Sequence, residues 1–301
     1  MPSVTQCPFD HAVISVRARM DEAAAIFTRM GFTLTDRGFH PAGSCNHLMV
    51  FERDYLELIG FPPAGQTIRP DLLEGVIGLD GLVLKAGDVQ AIHRELVTRG
   101  FPAGAPQALT RKLTLPGSGI EEEARFTTVR LPRGALQGGR LYYCRHETPQ
   151  FIWHAPFQSH HNSALGIASF TIAVPEPAGE ITKYECILDI PATIGADGGA
   201  HIRMGHAELE LLTPAALQTT LGALACDAND FNGRKRDAYM AMVTIRVRDI
   251  AATQRALQHG GFSVARLREG IAVPAAEAMN CTIAFVQQGV SNTGCATSAS
   301  A

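Results

Sequence analysis

The sequence predicts an α+β protein in which four βαβββ modules pair into two half-barrel domains. Three features of the 301-residue chain predict this fold: a recurring strand–helix–strand pattern, a turn residue after each helix, and an apolar strand that closes each module. The matched first-strand positions are His11, Gly81, Ser169 and Met242, at intervals of about 70, 88 and 73 residues. Because one such module cannot bury its sheet face alone, we expect the modules to associate in pairs.

The first two modules follow the pattern most clearly. In each, an aspartate is expected to cap the free backbone N–H groups at the start of the helix, and a glycine is expected to end it with a left-handed turn. The first module has a strand at 11–16 and a helix from Asp21 to Gly31. The second has a strand at 81–85 and a helix from Asp88 to Gly100.

The third module departs from this pattern more than the fourth. Prolines precede its helix, and Asp189 stands where the other modules have glycine. The fourth module has a strand at 242–247, and its helix begins at Asp249 and ends at Gly260. The closing strands of the four modules are predicted at 56–61, 141–144, 209–212 and 282–286.

The polar, aperiodic stretch 158–163 predicts the break between module pairs. We therefore expect one domain at 8–158, a second and degenerate module pair at 164–290, and a flexible tail at 291–301, which is rich in Ser, Ala, Thr and Gly. The first pair is expected to carry the functional cavity.

Composition excludes several function classes. A net charge of −3 with scattered arginines gives no electrostatic basis for binding nucleic acid or an anionic membrane. No apolar run is long enough to cross a bilayer, and the N-terminus lacks a signal-peptide pattern. Seven dispersed cysteines indicate reduced thiols, and hence a cytoplasmic protein. No glycine-rich nucleotide fingerprint is present, so no nucleotide cofactor is expected.

His11 and Glu57 are the leading candidates for chemistry. Side chains alternate along a strand, so the apolar row Ala12, Ile14, Val16 should pack under the helix while His11 faces the concave side. By the same alternation, Glu57 should face that side from the closing strand. An imidazole and a carboxylate are a common ligand set for a divalent metal. The pattern alone also fits a structural histidine and a solvated glutamate.

Other polar residues are candidates for the cavity, and each has a structural alternative. His47 has the chemistry of a general base, but His47 and His40 flank a turn, and their alternative role is to hydrogen-bond to its backbone. Arg125 could hold a substrate carboxylate or pair with a neighbouring glutamate. Trp153 could line the pocket or pack the linker. His206, Glu208 and Glu210 share a strand face, which suggests a second site or a structural cluster.

Two segments carry a family resemblance. The opening Asp10-His11 and the ending of the first module at 55–58 resemble the vicinal oxygen chelate superfamily, which includes glyoxalase I and the extradiol dioxygenases. The segment Arg-Gly-Phe-His-Pro-Ala-Gly-Ser-Cys-Asn-His-Leu-Met at 37–49, and Cys-Arg-His-Glu-Thr-Pro at 144–149 followed by Trp153, resemble a bacterial glyoxalase-like family. The closer resemblance covers residues 9 to 160.

The resemblance implies metal ligands on the first and last strands of paired modules. These positions match His11 and Glu57 in the first module, but Gly81 and Tyr142 or Cys144 replace the ligands expected in the second. The third module keeps Glu210 without its histidine. A complete four-ligand site, and with it glyoxalase I activity, is therefore not implied.

His146 is the best substitute for a third ligand, because Tyr142, Cys144 and His146 alternate onto one strand face. His11, His146 and Glu57 would resemble the facial triad of extradiol dioxygenases, although His146 before Pro149 also suits a helix cap or loop. The resemblance implies a divalent cation, Zn, Fe, Mn or Ni, that chelates two neighbouring oxygens of a small substrate in a lyase, isomerase or dioxygenase reaction. Tyr142, Trp153, His40 and Arg125 would then line the substrate pocket.

Two further functions remain open from the sequence. The first is a metal-free protein that binds and sequesters a small molecule in the same cavity, which the missing ligands favour. The second is a regulatory or structural subunit. In each case a homodimer is compatible with the pattern, because modules can pair across two chains.

Overall fold

The computed structural model describes residues 3–62, 70–73, 75–115, 119–195, 198–229 and 232–289. The tail predicted at 291–301 lies outside the described residues. No helix in the described part of the chain is long and apolar enough to cross a membrane.

The first two modules form one closed barrel. Its strands follow the order β1-β4-β3-β2-β6-β7-β8-β5, so the two modules meet at β1 with β5 and at β2 with β6. Within the first module β1 runs parallel to β4, while across the module boundary β1 runs antiparallel to β5. The elements are β1 (Phe9–Arg17), α1 (Met20–Arg29), β2 (Gly38–Phe39), β3 (Cys45–Val50), β4 (Tyr55–Gly60), α2 (Pro70–Leu73), β5 (Gly78–Lys85), α3 (Val89–Thr98), β6 (Gln107–Thr114), β7 (Glu121–Arg130) and β8 (Arg140–His146).

The last two modules form an eight-stranded sheet that stays open. Its strand order is β10-β11-β12-β9-β13-β16-β15-β14, with β9 and β13 at the centre. Four 3₁₀ turns, at Pro149–Phe151, Ala155–Gln158, Gly222–Leu224 and Ala275–Glu277, complete the described structure. The elements are β9 (Ala164–Ala173), α4 (Pro177–Leu188), β10 (Thr193–Ile194), β11 (Ala200–Met204), β12 (Ala207–Leu212), α5 (Pro214–Leu221), β13 (Tyr239–Val247), α6 (Ile250–His259), β14 (Ala265–Leu267), β15 (Gly270–Val273) and β16 (Thr282–Gln287).

The predicted α+β architecture of four βαβββ modules in two pairs is confirmed, and the helix boundaries follow the expected residues with one exception. Asp88 caps α3 by accepting from the backbone N–H groups of Gln90 and Ala91. Asp249 caps α6 in the same way. The prediction for α1 was wrong, because the helix begins at Met20 without a side-chain cap, and Asp21 lies in its first turn and pairs with Arg37.

The two sheets share one apolar core. Ala12, Ile14 and Val16 of β1 face away from the barrel interior and join a cluster that includes residues of both α1 and the C-terminal sheet. Phe32 and Phe285, one from each module pair, stack with ring centroids 6.3 Å apart. Because both halves contribute to this core, the domain boundaries at 158 and 164 stay a prediction.

The connection between the halves is packed rather than solvated. His160 is buried; its Nε2–H donates to the Val50 carbonyl at 3.0 Å, and its Nδ1 accepts from the Thr33 backbone N–H at 3.0 Å. Both ring nitrogens are therefore occupied in the neutral imidazole. Burial lowers the pKa of His160 to about 4, although the hydrogen bond to Val50 opposes this shift.

Candidate functional site

The barrel encloses a cavity of about 270 Å³, with walls formed by both of the first two modules. Its lining is largely apolar and carries a small set of polar groups, which is the usual character of a small-molecule site. Both His11 of β1 and Glu57 of β4 line this cavity, and strand alternation predicts the same placement. The lining residues are His11, His40, Pro41, Ala42, Asn46, Leu48, Tyr55, Glu57, Ile59, Ala108, Leu109, Thr110, Arg111, Phe126, Thr128, Arg130, Tyr142 and Cys144.

The side chains of His11 and Glu57 meet. The His11 Nε2 atom lies 3.7 Å from Glu57 Oε2, and both residues are buried, with 3% and 7% of their surface exposed. The His11 ring stacks on Tyr55 with centroids 4.1 Å apart, and the Tyr55 hydroxyl lies 3.4 Å from Nε2. Stacking and burial hold the imidazole in one orientation, with Nε2 toward the carboxylate.

Asp10 supports His11 from behind. A β-bulge between Phe9 and His11, where β1 pairs with β5, leaves Asp10 as the extra residue, so its carboxylate reaches the neighbouring imidazole. The His11 Nδ1–H donates to Asp10 Oδ2 at 2.7 Å, and the His146 Nε2–H donates to the same oxygen at 2.8 Å. Burial on its own would raise the pKa of Asp10, but the charges and hydrogen bonds of His146 and His11 outweigh it and hold that pKa well below its usual range.

His146 therefore lies behind Asp10, and it is not among the residues that line the cavity. Donor atoms of Asp10, Cys144 and His146 lie within 4.8 Å of one another. Within the described structure, Asp10 Oδ1 and His146 Nδ1 are buried without a hydrogen-bond partner. Because the Asp10 Oδ2 atom already accepts from both imidazoles, we interpret this group as the support of His11.

Glu57 is held from the opposite side by a second set of contacts. The Asn46 amide of β3 donates to Glu57 Oε1 at 2.7 Å, and the Asn46 carbonyl oxygen accepts from Arg111 Nε of β6 at 2.7 Å. Arg111 is 1% exposed and also donates to Thr35 Oγ1 and to the Asp36 carbonyl. Burial lowers the pKa of Arg111 to about 10, which leaves the guanidinium charged at neutral pH.

The resulting polar network crosses the barrel from β8 to β6. Its members in order are His146, Asp10, His11, Glu57, Asn46 and Arg111. The two tyrosines on the wall stay protonated, since burial raises the pKa of both Tyr55 and Tyr142. Burial likewise raises the pKa of the Cys144 thiol, so it is a neutral donor and a poor nucleophile.

His47 and Arg125, which were also expected at the site, do not reach the cavity either. His47 faces outward because its neighbours Asn46 and Leu48 face inward; its Nδ1–H donates to the Thr35 carbonyl and its Nε2 accepts from Arg37. Burial lowers the pKa of His47, and the nearby arginines lower it further. Arg125 is exposed on the outer face of β7, and its backbone N–H donates to Thr148.

The remaining expected residues divide between the cavity and its surroundings. His40 lines the cavity, and its Nδ1 lies 2.9 Å from Ser44 Oγ, while Tyr142 forms part of the opposite wall. Trp153 lies outside the cavity lining and packs on His146, with ring centroids 4.8 Å apart. The Nζ atom of Lys85 lies 3.8 Å from the centroid of the same indole. Trp153 therefore closes the barrel behind the polar network.

The histidines and glutamates of the third module form no second centre in the described structure. His206 Nε2–H donates to Asp54 Oδ2 at 2.6 Å, whereas Glu208 pairs with His201 at 3.0 Å. Glu210 accepts from the Thr171 hydroxyl at 2.8 Å. These side chains therefore point to different partners and stabilise the sheet and its contact with the barrel.

Asp10, Asn46 and Arg111 belong to the site but were not expected there from the sequence. The sequence could have identified Arg111, because it lies two residues from both Leu109 and Leu113. In a strand these three side chains should therefore face inward together. Asp10 carried only the family motif Asp10-His11, since strict alternation places it opposite His11 and the bulge brings its carboxylate to the imidazole.

Gly81 shows why the second module lacks its expected ligand. Gly81 of β5 lies opposite Val13 of β1, and a Cβ at Gly81 would lie 3.0 Å from Val13 Cβ and 3.1 Å from its Cγ2. The space that a histidine would need is therefore filled by a valine.

Replacing Gly81 by alanine is expected to lower the free energy of unfolding by about 1–3 kcal/mol, because the added methyl group overpacks the barrel. Replacing Val13 by alanine in the same chain should recover part of that loss, which a double-mutant cycle measured by urea unfolding can detect. Strictly additive losses would contradict the steric explanation.

A model of the glyoxalase-like domain family matches residues 9–186, which is more than half of the chain. The match extends beyond the barrel into the third module. No curated protein is similar enough in sequence to count as a match.

Solved structures share the fold at low sequence identity. A hypothetical protein from Staphylococcus aureus aligns with a TM-score of 0.63 and 9% identity, over 93% of this chain and 98% of its own. A mutant of 4-hydroxymandelate synthase from Streptomyces coelicolor aligns with a TM-score of 0.56 and 14% identity, over 95% and 93%.

A fusion of a xylose isomerase-like TIM barrel with 4-hydroxyphenylpyruvate dioxygenase aligns with a TM-score of 0.58 and 16% identity. The alignment covers 98% of this chain, which spans about half of the fusion protein, 51% of its length. Together with the family match, these neighbours confirm the resemblance to the vicinal oxygen chelate superfamily. At these identities the structures establish the fold alone.

Proposed function

Because the chain belongs to the glyoxalase-like domain family, we propose that it is a metal-dependent enzyme acting on a small, oxygen-rich organic molecule inside the barrel. The observation that supports this most strongly is the approach of His11 Nε2 to Glu57 Oε2, 3.7 Å apart on the cavity wall. Lyase, isomerase and dioxygenase chemistry all suit such a site, since a fold hosts many reactions.

The donor set fits a divalent cation. Histidine ligands of metals commonly donate their second ring N–H to a carboxylate, as His11 Nδ1 does to Asp10. Metal–nitrogen and metal–oxygen bonds of about 2.0–2.2 Å allow one ion to reach two donors separated by this distance. Zn, Fe, Mn and Ni all accept imidazole and carboxylate donors, so the pair does not select among them.

The protein's own groups suit the stabilisation of an oxyanion. A divalent cation bound by His11 and Glu57 would polarise two neighbouring substrate oxygens. The protonated hydroxyls of Tyr55 and Tyr142 face the same space and can donate to an oxygen as its negative charge develops. Asn46 and Arg111 keep the Glu57 carboxylate in place from the cavity wall.

His40 takes the proton-transfer role within this proposal. A general base must come within hydrogen-bond reach of the substrate, and His40 lines the cavity whereas His47 does not. Both ring nitrogens of His47 are also engaged, with Thr35 and Arg37.

Metal binding to the purified protein tests the proposal. The native chain is expected to take up one divalent ion, and Glu57→Gln to weaken that binding by at least about tenfold, because the amide is a poorer ligand than the carboxylate. Titration calorimetry with Zn²⁺ and Mn²⁺ after chelation and dialysis measures both affinities.

Glu208→Gln provides the matched control, since Glu208 also lies beside a histidine but in the C-terminal sheet. It should bind metal as the native chain does. The proposal fails if the native protein takes up no ion, or if Glu57→Gln binds as tightly as Glu208→Gln.

A metal-free binding protein is the second candidate, and Gly81 is the observation that favours it. Because Val13 occupies the space beside Gly81, the second module contributes no histidine ligand there. The apolar lining, including Leu48, Ile59 and Phe126, would then hold an aromatic ligand. Ligand affinity that stays unchanged after chelation would favour this candidate.

A further inference from the structure

A second cavity adjoins the barrel cavity at its outer end. This outer chamber has a volume of about 530 Å³, and its lining includes Pro102, Gly104, Gln107, Leu109 and residues 130–133. It shares Ala42, Leu109, Arg130 and Tyr142 with the barrel cavity. The two spaces are therefore adjacent along these four residues.

Three arginines line the outer chamber. Its described lining includes Arg130, Arg133 and Arg140 and no acidic side chain. Asp80 lies behind it and pairs with both Arg133, at 2.9 and 3.0 Å, and Arg140, at 3.0 Å. Arg133 and Arg140 thus converge on one carboxylate, and Arg130 lies on the same lining.

Tyr142 connects this charge to the proposed metal ligands. The Arg130 guanidinium carbon lies 5.0 Å from the centroid of the Tyr142 ring, and the His11 ring centroid lies 6.0 Å from the same point. The guanidinium and the imidazole therefore lie near the same aromatic ring, and both side chains line the barrel cavity, so one small organic molecule can reach both.

We propose that the outer chamber binds an oxyanion of the substrate, a carboxylate or a phosphate, while the rest of the molecule enters the barrel toward His11 and Glu57. Guanidinium groups recognise carboxylates and phosphates through paired, charge-assisted hydrogen bonds. Arg130 is the residue that lines both spaces, so it orients the molecule. The entry of the rest of the molecule into the barrel rests on the proposed function, whereas anion binding in the outer chamber does not.

Binding of matched aromatic probes to the metal-free protein tests the proposal. Benzoate and benzamide have nearly the same shape but differ in charge, and phenyl phosphate tests the phosphate alternative. We expect benzoate or phenyl phosphate to bind at least about tenfold more tightly than benzamide, with a preference that decreases as salt is raised. Titration calorimetry measures all three, and the stronger anion identifies which oxyanion the chamber prefers.

Arg130→Gln is expected to remove most of this preference, and Arg130→Lys to retain part of it, because lysine keeps the charge but loses the paired donors. Arg145→Gln is the control, since Arg145 is an exposed arginine on β8 that pairs with Glu147. Equal binding of benzoate, phenyl phosphate and benzamide, or no binding of any probe by a cooperatively folded protein, overturns the proposal.

The outcome is separable from that of the metal experiment. The probes are measured without metal, so a preference for anions would persist even if Glu57→Gln had no effect on ion uptake. Conversely, a protein that binds metal but not the anionic probes would retain the proposed function and lose this inference.

Discussion

Replacing Arg111 by methionine is expected to lower the free energy of unfolding by about 3 kcal/mol, because it removes a buried charge from a network of polar partners. Methionine keeps much of the volume but leaves the Asn46 carbonyl and the Asp36 carbonyl without their donor. A buried acceptor without a partner costs about 1–3 kcal/mol. The nearby Glu57 carboxylate also loses a compensating positive charge.

Urea unfolding at neutral pH measures this loss, and Arg125→Met is its control. Arg125 is exposed on the outer face of β7, so the same chemical change there should alter stability by no more than about 0.5 kcal/mol. Equal stability of the two variants would show that the network around Arg111 contributes little to the fold.

Acidification is expected to destabilise the native protein through His160, by up to about 3 kcal/mol between pH 6.5 and pH 4. The folded pKa of His160 is lowered to about 4, while an unfolded histidine titrates near 6.5. Between these values the unfolded chain binds a proton that the folded chain excludes. The stabilisation is therefore complete above pH 6.5 and is lost as the pH falls toward 4.

His160→Gln should remove this pH dependence, because glutamine can donate to the Val50 carbonyl but does not titrate. Its unfolding free energy should fall less steeply than that of the native chain between pH 7 and pH 4.5, in urea unfolding at each pH. His161→Gln alters the exposed neighbour and should follow the native curve. Parallel curves for all three proteins would contradict the assignment.

The sequence by itself determined the modules, their helices and the inward direction of two side chains. These features depend on local rules: alternation along β1 and β4 places His11 and Glu57 on one face, and Asp88 and Asp249 cap the helices that follow them. Closure of the first two modules into a barrel depends on long-range pairing between strands. The periodicity of the sequence predicts only that modules associate, and it does not predict which strands pair.

Only the tertiary structure decided which side chains meet at the site. The bulge in β1 turns Asp10 toward His11, although alternation places the two on opposite faces. Barrel closure brings Arg111 to Asn46, the residue that donates to Glu57, although Arg111 lies more than fifty residues from both along the chain. His47 and Arg125 were expected at the site from their chemistry, but the direction of their strands turns them outward. The physical reason is that residue type and alternation are local, whereas bulges, register and closure follow from how whole strands pair.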